Sequence, residues 1–183
     1  MIRIIAGKNK GKKLLLPDEK ITRPTSDRAR ESLFNILAHH ANFDLSGARV
    51  LDAFAGSGAL GLEALSRGAN HVTFVESHPK ILPVLRQNVA SIAIKQQVQI
   101  LSHPIESIGK ISQSVDLVFL DPPYKQELEI ATIQLLHRQG WINNSTLICL
   151  EMHLHDPLDE QPFFQVLDQR AYGQTKIILG KIP

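Results

Sequence analysis

The chain has almost no cysteine, few aromatic residues and no long apolar run, and each shortage closes off a class of protein. Its single cysteine, Cys149, cannot form an internal disulfide. That excludes the disulfide-stapled secreted domains and makes a reducing cytoplasm the expected setting. Set in the apolar run TLICLE, Cys149 reads as a small buried hydrophobe. No apolar stretch approaches the roughly 20 residues that span a bilayer, and MIRIIAGKNKGKK is too short in apolar residues for a signal peptide. No internal repeat, low-complexity tract or interdomain linker interrupts the chain. With 183 residues, 43% of them hydrophobic, it is long enough for one core that buries roughly 70% of the unfolded surface. A soluble single domain over 1–183 is expected, with an N-terminal basic extension 1–40 and a core 41–183.

The formal charge of +2 is unevenly spread. Residues 1–31 hold nine Lys or Arg against four acids, a local +5, which leaves −3 for the rest. Such a segment is either a solvated surface or a phosphate-contacting arm. Two short β-like runs, Arg3 to Ala6 and Lys12 to Leu16, flank GKNKG and predict a basic hairpin. RPTSDRARESLFNILAHH then predicts a helix: Pro24 opens it, Thr25 and Ser26 offer N-cap oxygens, and Ala29, Leu33, Ile36 and Leu37 share a face.

From Arg49 onward strands and helices alternate: RVLDAF, ALGLEALSRG, HVTFVE, a helix from Leu85 to Ile92, VQIL, a short helix near Glu106, then VDLVFL. A helix around Leu128 to His137, the strand TLICLE and two extended runs, FFQVLDQR and TKIILG, complete the series. This alternation implies an α/β fold with a parallel sheet built by right-handed crossovers. Only the last two strands, joined by the short AYGQ, read as a hairpin, which makes about seven strands with the last antiparallel.

Gly56, Gly58 and Gly61 form a G-x-G-x-x-G in the loop after the first core strand. Such glycines let backbone turn tightly and approach a ligand at a helix N-terminus. The same spelling serves dinucleotides and turns with no ligand. Asp52, just before the glycines, would repel a pyrophosphate but would attract an ammonium group, which S-adenosylmethionine (SAM) carries. Glu76 lies twenty residues past Gly56 at the end of the second strand. A carboxylate there can accept both ribose hydroxyls of NAD or SAM, or cap the next helix.

The stretch VFLDPPYK ends a buried strand in a carboxylate, two prolines and an aromatic ring. Pro122 and Pro123 have no N–H, so this turn presents carbonyls and the Asp121 carboxylate, acceptors only. An exocyclic nucleobase amine suits it: acceptors on its two hydrogens concentrate electron density on nitrogen. Tyr124 adds a stacking face, worth on the order of 1–3 kcal/mol per base. If the first and fourth core strands flank a reversal of strand order, both motifs face one crevice.

RIIAG, RPTSDRARESLFNIL, DAFAGSGALGLEALSRGA and FLDPPY together resemble the RsmD family, SAM-dependent amino-methyltransferases that modify N2 of one guanine in 16S ribosomal RNA. The likeness covers nearly the whole chain. It implies a seven-stranded Rossmann-like SAM-dependent methyltransferase sheet with a small N-terminal β-hairpin/helix extension. It also implies a partly assembled small ribosomal subunit as substrate, S-adenosylhomocysteine as product, no metal, no membrane, and a monomer. By resemblance, Asp52, Phe54, Ala55, Gly56, Ser57 and Gly58 surround the methionine part of SAM and Glu76 its ribose. Asp121, Pro122, Pro123 and Tyr124 form the catalytic turn. Arg23, Pro24, Thr25, Asp27, Arg28 and Arg30 match the family's N-terminal signature, which by the resemblance helps enclose cofactor and RNA, while the charge of the hairpin itself gives Lys8, Lys10, Lys12 and Lys13 the role of holding RNA phosphates. The chain departs from the family where Asp or Asn followed by Ala usually meets the adenine amine: His103 and Pro104 stand there, leaving adenine to His103 or to backbone groups.

In the implied reaction guanine N2 displaces the sulfonium methyl in line, and the target base is unpaired or flipped out, because N2 of a duplex is confined to the minor groove. Asp121 orients the amine and later receives its proton. A nicotinamide-dependent dehydrogenase would explain the glycines and Glu76 but not Asp52 or DPPY. A non-enzymatic RNA-binding module would explain only the basic arm. An adenine-N6 DNA methyltransferase shares DPPY, and only family likeness separates it. His153 and His155 alternate in EMHLHD without a completing ligand and read as a surface loop. Glu151 reads either as a rim residue or as a plain strand-end acid, and Trp141 and Phe163 read as packing residues.

Overall fold

The computed structural model describes residues 2–17, 27–39, 43–122, 128–157 and 162–183. Strands β1 (Ile2–Arg3) and β2 (Lys13–Leu14) pair antiparallel, with Ile2 opposite Leu14. This is the basic hairpin, with shorter strands than the sequence suggests. Helix α1 (Asp27–His39) buries Ala29, Leu33, Phe34 and Leu37, and the start expected at Pro24 to Ser26 lies outside the described residues.

The central sheet contains β3 (Arg49–Asp52), β4 (His71–Val75), β5 (Val98–Leu101), β6 (Leu117–Leu120), β7 (Leu147–His153), β8 (Gln165–Tyr172) and β9 (Thr175–Lys181). Their order is β5-β4-β3-β6-β7-β9-β8. The first five are mutually parallel and β9 is antiparallel to both its neighbours. Helices α2 (Ala59–Ser66), α3 (Leu82–Ile92) and α4 (Leu128–Arg138) supply crossovers. The chain winds outward from β3 through β4 to β5, then returns to place β6 on the other side of β3. The reversal expected between the first and fourth core strands is therefore present.

The apolar runs of β6 and β7 follow from helices or loops covering both faces. Alternate residues serve two separate layers. Val50, Leu117, Phe119, Leu147 and Cys149 join one core with α1, α2 and the N-terminal hairpin. Leu51, Val118, Leu120, Ile148 and Leu150 join the other with Ile133 and Leu136 of α4. The period-2 alternation of a strand thus divides a continuous apolar sequence between two cores. The edge strand β8 is largely exposed, and it carries Asp168, Arg170 and a register shift between Val166 and Asp168. Charges and an irregularity of this kind discourage pairing with another chain. Among the described residues no helix is long and apolar enough to cross a membrane.

Candidate active site at the carboxyl edge of the sheet

Four adjacent parallel strands bring a row of carboxylates to one edge. Asp52 ends β3, and Glu76 follows β4. Asp121 follows β6, and Glu151 lies in β7. Asp52 pairs in register with Phe119, two residues before Asp121, and Leu120 pairs with Leu150, so Asp121 and Glu151 succeed that pair side by side. The two motifs, far apart in sequence, open on one crevice where the strand order reverses.

The turn after β3 is built by its glycines. Gly58 sits at φ +81° before α2, and an added Cβ would meet Leu85 Cδ1 at 2.6 Å. At Gly61 the demand is closeness, because a Cβ there would lie 2.4 Å from Phe74 Cε1 and 2.8 Å from Val72 Cγ1. Helix α2 can therefore lie directly on β4. Its first turn donates Gly61 N–H to Asp52 Oδ2 at 3.0 Å. Gly56 N–H donates to Glu76 Oε2 at 3.0 Å and His78 N–H to Glu76 Oε1 at 2.7 Å. Each oxygen of Glu76 is thus oriented yet keeps a lone pair. A Cβ added at Gly56 would meet nothing within 4 Å, so the turn leaves open space there.

The electrostatics match a site built for a cation. Burial raises Asp52 from its usual 3.8 to about 7; the Gly61 N–H opposes the shift and Glu76 adds to it. Burial, then Glu151 and Asp52, hold the Asp121 carboxyl well above the usual carboxylate range. Asp52 and Glu151 are buried, and Asp121 and Glu76 are half-buried. Bringing a positive group among them would relieve their mutual repulsion.

The remaining expected residues divide clearly. Phe54 is half-buried and packs on the second core, Ala55 is buried, and Ser57 is half-exposed in the turn. His103, just past β5 on the same edge, places Nδ1 2.9 Å from the Pro104 carbonyl. Pro122 is buried beside Asp121. Arg23, Pro24, Thr25, Pro123 and Tyr124 lie outside the described residues, as do the side chains of Asp27 and Arg28. Lys8, Lys10, Lys12 and Lys13 lie on the hairpin, Lys8, Lys10 and Lys12 among its solvent-facing loop residues and Lys13 exposed on β2.

Arg30 requires a correction. Expected to face RNA, it is fully buried, and Nη2 donates to the Arg3 carbonyl at 2.7 Å. It ties α1 to the hairpin strand, where a guanidinium shut away from solvent cannot meet a phosphate. Of the residues set apart from the site, Trp141 is buried and donates Nε1–H to the Gly109 carbonyl at 2.8 Å, and Phe163 packs edge-on against His137.

Two residues escape the sequence reading. Glu63 is fully buried and accepts Ile5 N–H at 2.7 Å, Ala6 N–H at 3.0 Å and Arg67 Nε–H at 2.7 Å. Its signal is its place as the lone charge in the apolar helix ALGLEALS. Asn88, also buried, joins Leu15 to Ser57 through its side-chain amide. Its partners are 73 and 31 residues away, so no local pattern marks it.

Comparison with known proteins agrees with this geometry. The family described as conserved hypothetical protein 95 matches residues 2–181. The ribosomal RNA small subunit methyltransferase D of Escherichia coli (strain K12) is 39% identical over 161 residues, 88% of this chain and 79% of that protein. Its namesake in Haemophilus influenzae is 35% identical over 94% of this chain and 89% of its own. Among solved structures, yhhF from Escherichia coli superimposes with a TM-score of 0.84 at 34% identity, covering 99% of this chain and 97% of that one. With the fold, the family match and these relatives in agreement, the chain belongs to the RsmD family and carries its Rossmann-like methyltransferase fold.

Proposed function

We propose that this protein transfers a methyl group from SAM to the exocyclic N2 of a guanine in 16S ribosomal RNA. The observation that carries the reading is the meeting of the Asp52 to Gly58 turn and the Asp121–Pro122 turn on adjacent, parallel-paired strands. The relatives named for small-subunit ribosomal RNA methylation support the substrate class.

The residues present fit SAM. Asp52 offers a carboxylate to an ammonium group, Gly56 leaves open space for a ligand, and Glu76 has lone pairs left for ribose hydroxyls. A proton on His103 Nδ1 directed at Pro104 leaves Nε2 as an acceptor, the chemistry that an adenine amine needs. When bound, SAM supplies a methyl group on a positively charged sulfur that is released as S-adenosylhomocysteine.

The protein's own work is alignment and charge. Asp121 and the Pro122 carbonyl accept the hydrogens of the guanine amine and turn its lone pair toward the methyl carbon. As charge develops on nitrogen, the Asp121 carboxylate in its ionised form would take the proton that the amine loses, and the burial that raises its proton affinity favours that transfer. Tyr124 stacks on the base in this reading. Lys8, Lys10, Lys12 and Lys13 hold phosphates, with Arg23, Thr25 and Arg28 completing that side. The acceptor is a partly assembled small subunit, and the enzyme acts as a monomer.

The test is incubation of radiolabelled SAM with small subunits lacking the modification, naked ribosomal RNA and DNA, followed by nucleoside analysis. Label in N2-methylguanosine is the expected result. Label in N6-methyladenosine would move the assignment to adenine, and NADH uptake without SAM uptake would replace it with dehydrogenase chemistry.

A further inference from the structure

The basic hairpin and the cofactor turn are joined by one side chain. Asn88 lies in α3 with 2% of its surface exposed. Its Oδ1 accepts Leu15 N–H at 2.8 Å, and its Nδ2 donates to the Leu15 carbonyl at 3.0 Å and to the Ser57 carbonyl at 2.9 Å. Both amide hydrogens are used, each on a different segment. Leu15 follows β2 directly, two residues past Lys13. Ser57 lies between Gly56 and Gly58, the two glycines with positive φ in the cofactor turn.

Each bond constrains a peptide plane that matters on its own side. The Ser57 carbonyl shares its plane with Gly58 N–H, which donates to the Ala55 carbonyl at 2.7 Å and closes the turn. On the other side, the pair of bonds to Leu15 copies one rung of a strand ladder, so the backbone leaving the basic loop is held to α3. Farther back the loop is anchored independently: Lys8 N–H donates to the Ser66 carbonyl at 2.8 Å and Asn9 N–H to Ser66 Oγ at 2.9 Å. An anchor for the hairpin alone would need no bond to Ser57. Asparagine is also a modest helix former, and a buried amide is tolerated only when satisfied.

Resting on the methyl-transfer reading above, we infer that Asn88 is a positioning residue that couples occupancy of the basic hairpin by RNA to the shape of the cofactor turn. Binding at one end orders the plane that the other end uses, and the coupling is reciprocal.

Equilibrium dialysis with tritiated S-adenosylhomocysteine tests this, in the presence and absence of saturating small subunits that lack the modification. The wild-type chain should bind the nucleoside about fivefold or more tightly with subunits present, within the usual range for coupled sites. Asn88→Ala, shown to be folded by its thermal melt, should bring that ratio to less than about twofold. Leu15→Pro removes the N–H that reaches Oδ1 and keeps the Leu15 carbonyl that Nδ2 reaches, while fixing φ at that position, so its fold is checked by the same thermal melt. It should also lower the ratio while leaving affinity without subunits near wild type. A purely structural Asn88 would lower the melting temperature and leave the ratio untouched, which overturns the inference, as does a wild-type ratio of one. Loss of subunit binding in Asn88→Ala with unchanged nucleoside affinity overturns it in favour of RNA contact alone. Failure of the wild type to bind the nucleoside at all refutes the methyl-transfer reading itself, and the coupling with it.

Discussion

Burial raises the pKa of both Asp52 and Asp121 above that of surface carboxylates, and the roles of both can be tested. Asp52 titrates near 3.8 in an unfolded chain and about 7 in the folded one. Because its folded pKa is raised, its stabilising effect is fully present below about pH 4 and is lost as pH rises through about 7. Asp52→Asn should therefore melt at the wild-type temperature near pH 4 and clearly above it near pH 8, by several degrees for a difference of a few kcal/mol. Binding a cation requires the ionised carboxylate, so wild-type affinity for SAM should increase between about pH 6 and pH 8. The Asp52→Asn variant should bind weakly and with no such pH dependence, as calorimetric titration at several pH values would show. For Asp121→Ala, methyl transfer should fall by roughly a hundredfold or more, the scale of losing a group that aligns or receives a proton. RNA retention in a filter assay should be largely intact, and unchanged transfer would remove Asp121 from its assigned role.

At the level of elements, the N-terminal hairpin is joined to the core by helix α2 as well as by apolar contact. Ile2, Ile4 and Leu14 enter the core shared with α1 and α2, while Glu63 takes the Ile5 and Ala6 amides. Arg67 completes the carboxylate and stacks its guanidinium 4.6 Å from the Phe34 ring centroid. Glu63→Ala would leave those donors and Arg67 without their acceptor, a loss on the order of 3–5 kcal/mol for a buried charged network. Amide exchange at Ile5 and Ala6 should accelerate more than exchange at Val118 and Phe119 of β6. Equal acceleration everywhere would mean that Glu63 supports global stability and does not dock the hairpin selectively.

For the molecule as a whole, charge is separated in space. Lysines sit on the hairpin, and acids gather at the carboxyl edge of the sheet. In the proposed reading, a polyanion is held by one part while an uncharged amine and a cation approach another. Replacing Lys8, Lys10, Lys12 and Lys13 together by Gln should weaken binding to small subunits. It should also flatten the plot of log affinity against log salt, by up to about 0.7–0.9 for each phosphate that is no longer neutralised. The same slope in wild type and variant would place the phosphate-binding groups elsewhere. Transfer at saturating RNA should change far less than affinity, since none of these lysines belongs to the acceptor edge.

How much is legible in the chain follows from how each signal is encoded. Alternating apolar strands and helices, the glycine turn, DPPY and the basic hairpin are local patterns, and local backbone preference plus side-chain periodicity determined them without tertiary help. Strand ends are shorter than their apolar runs, because Ala53 N–H makes a last bond to the Phe119 carbonyl before the chain turns, and the hairpin pairs over only two residues in each strand. Only the folded arrangement decided that Asp52, Glu76, Asp121 and Glu151 stand on neighbouring strands. It also turned Arg30 inward and placed Asn88 between Leu15 and Ser57. Strand order, burial and hydrogen bonds across tens of residues arise from packing two layers against a twisted sheet, and no window of sequence contains that information.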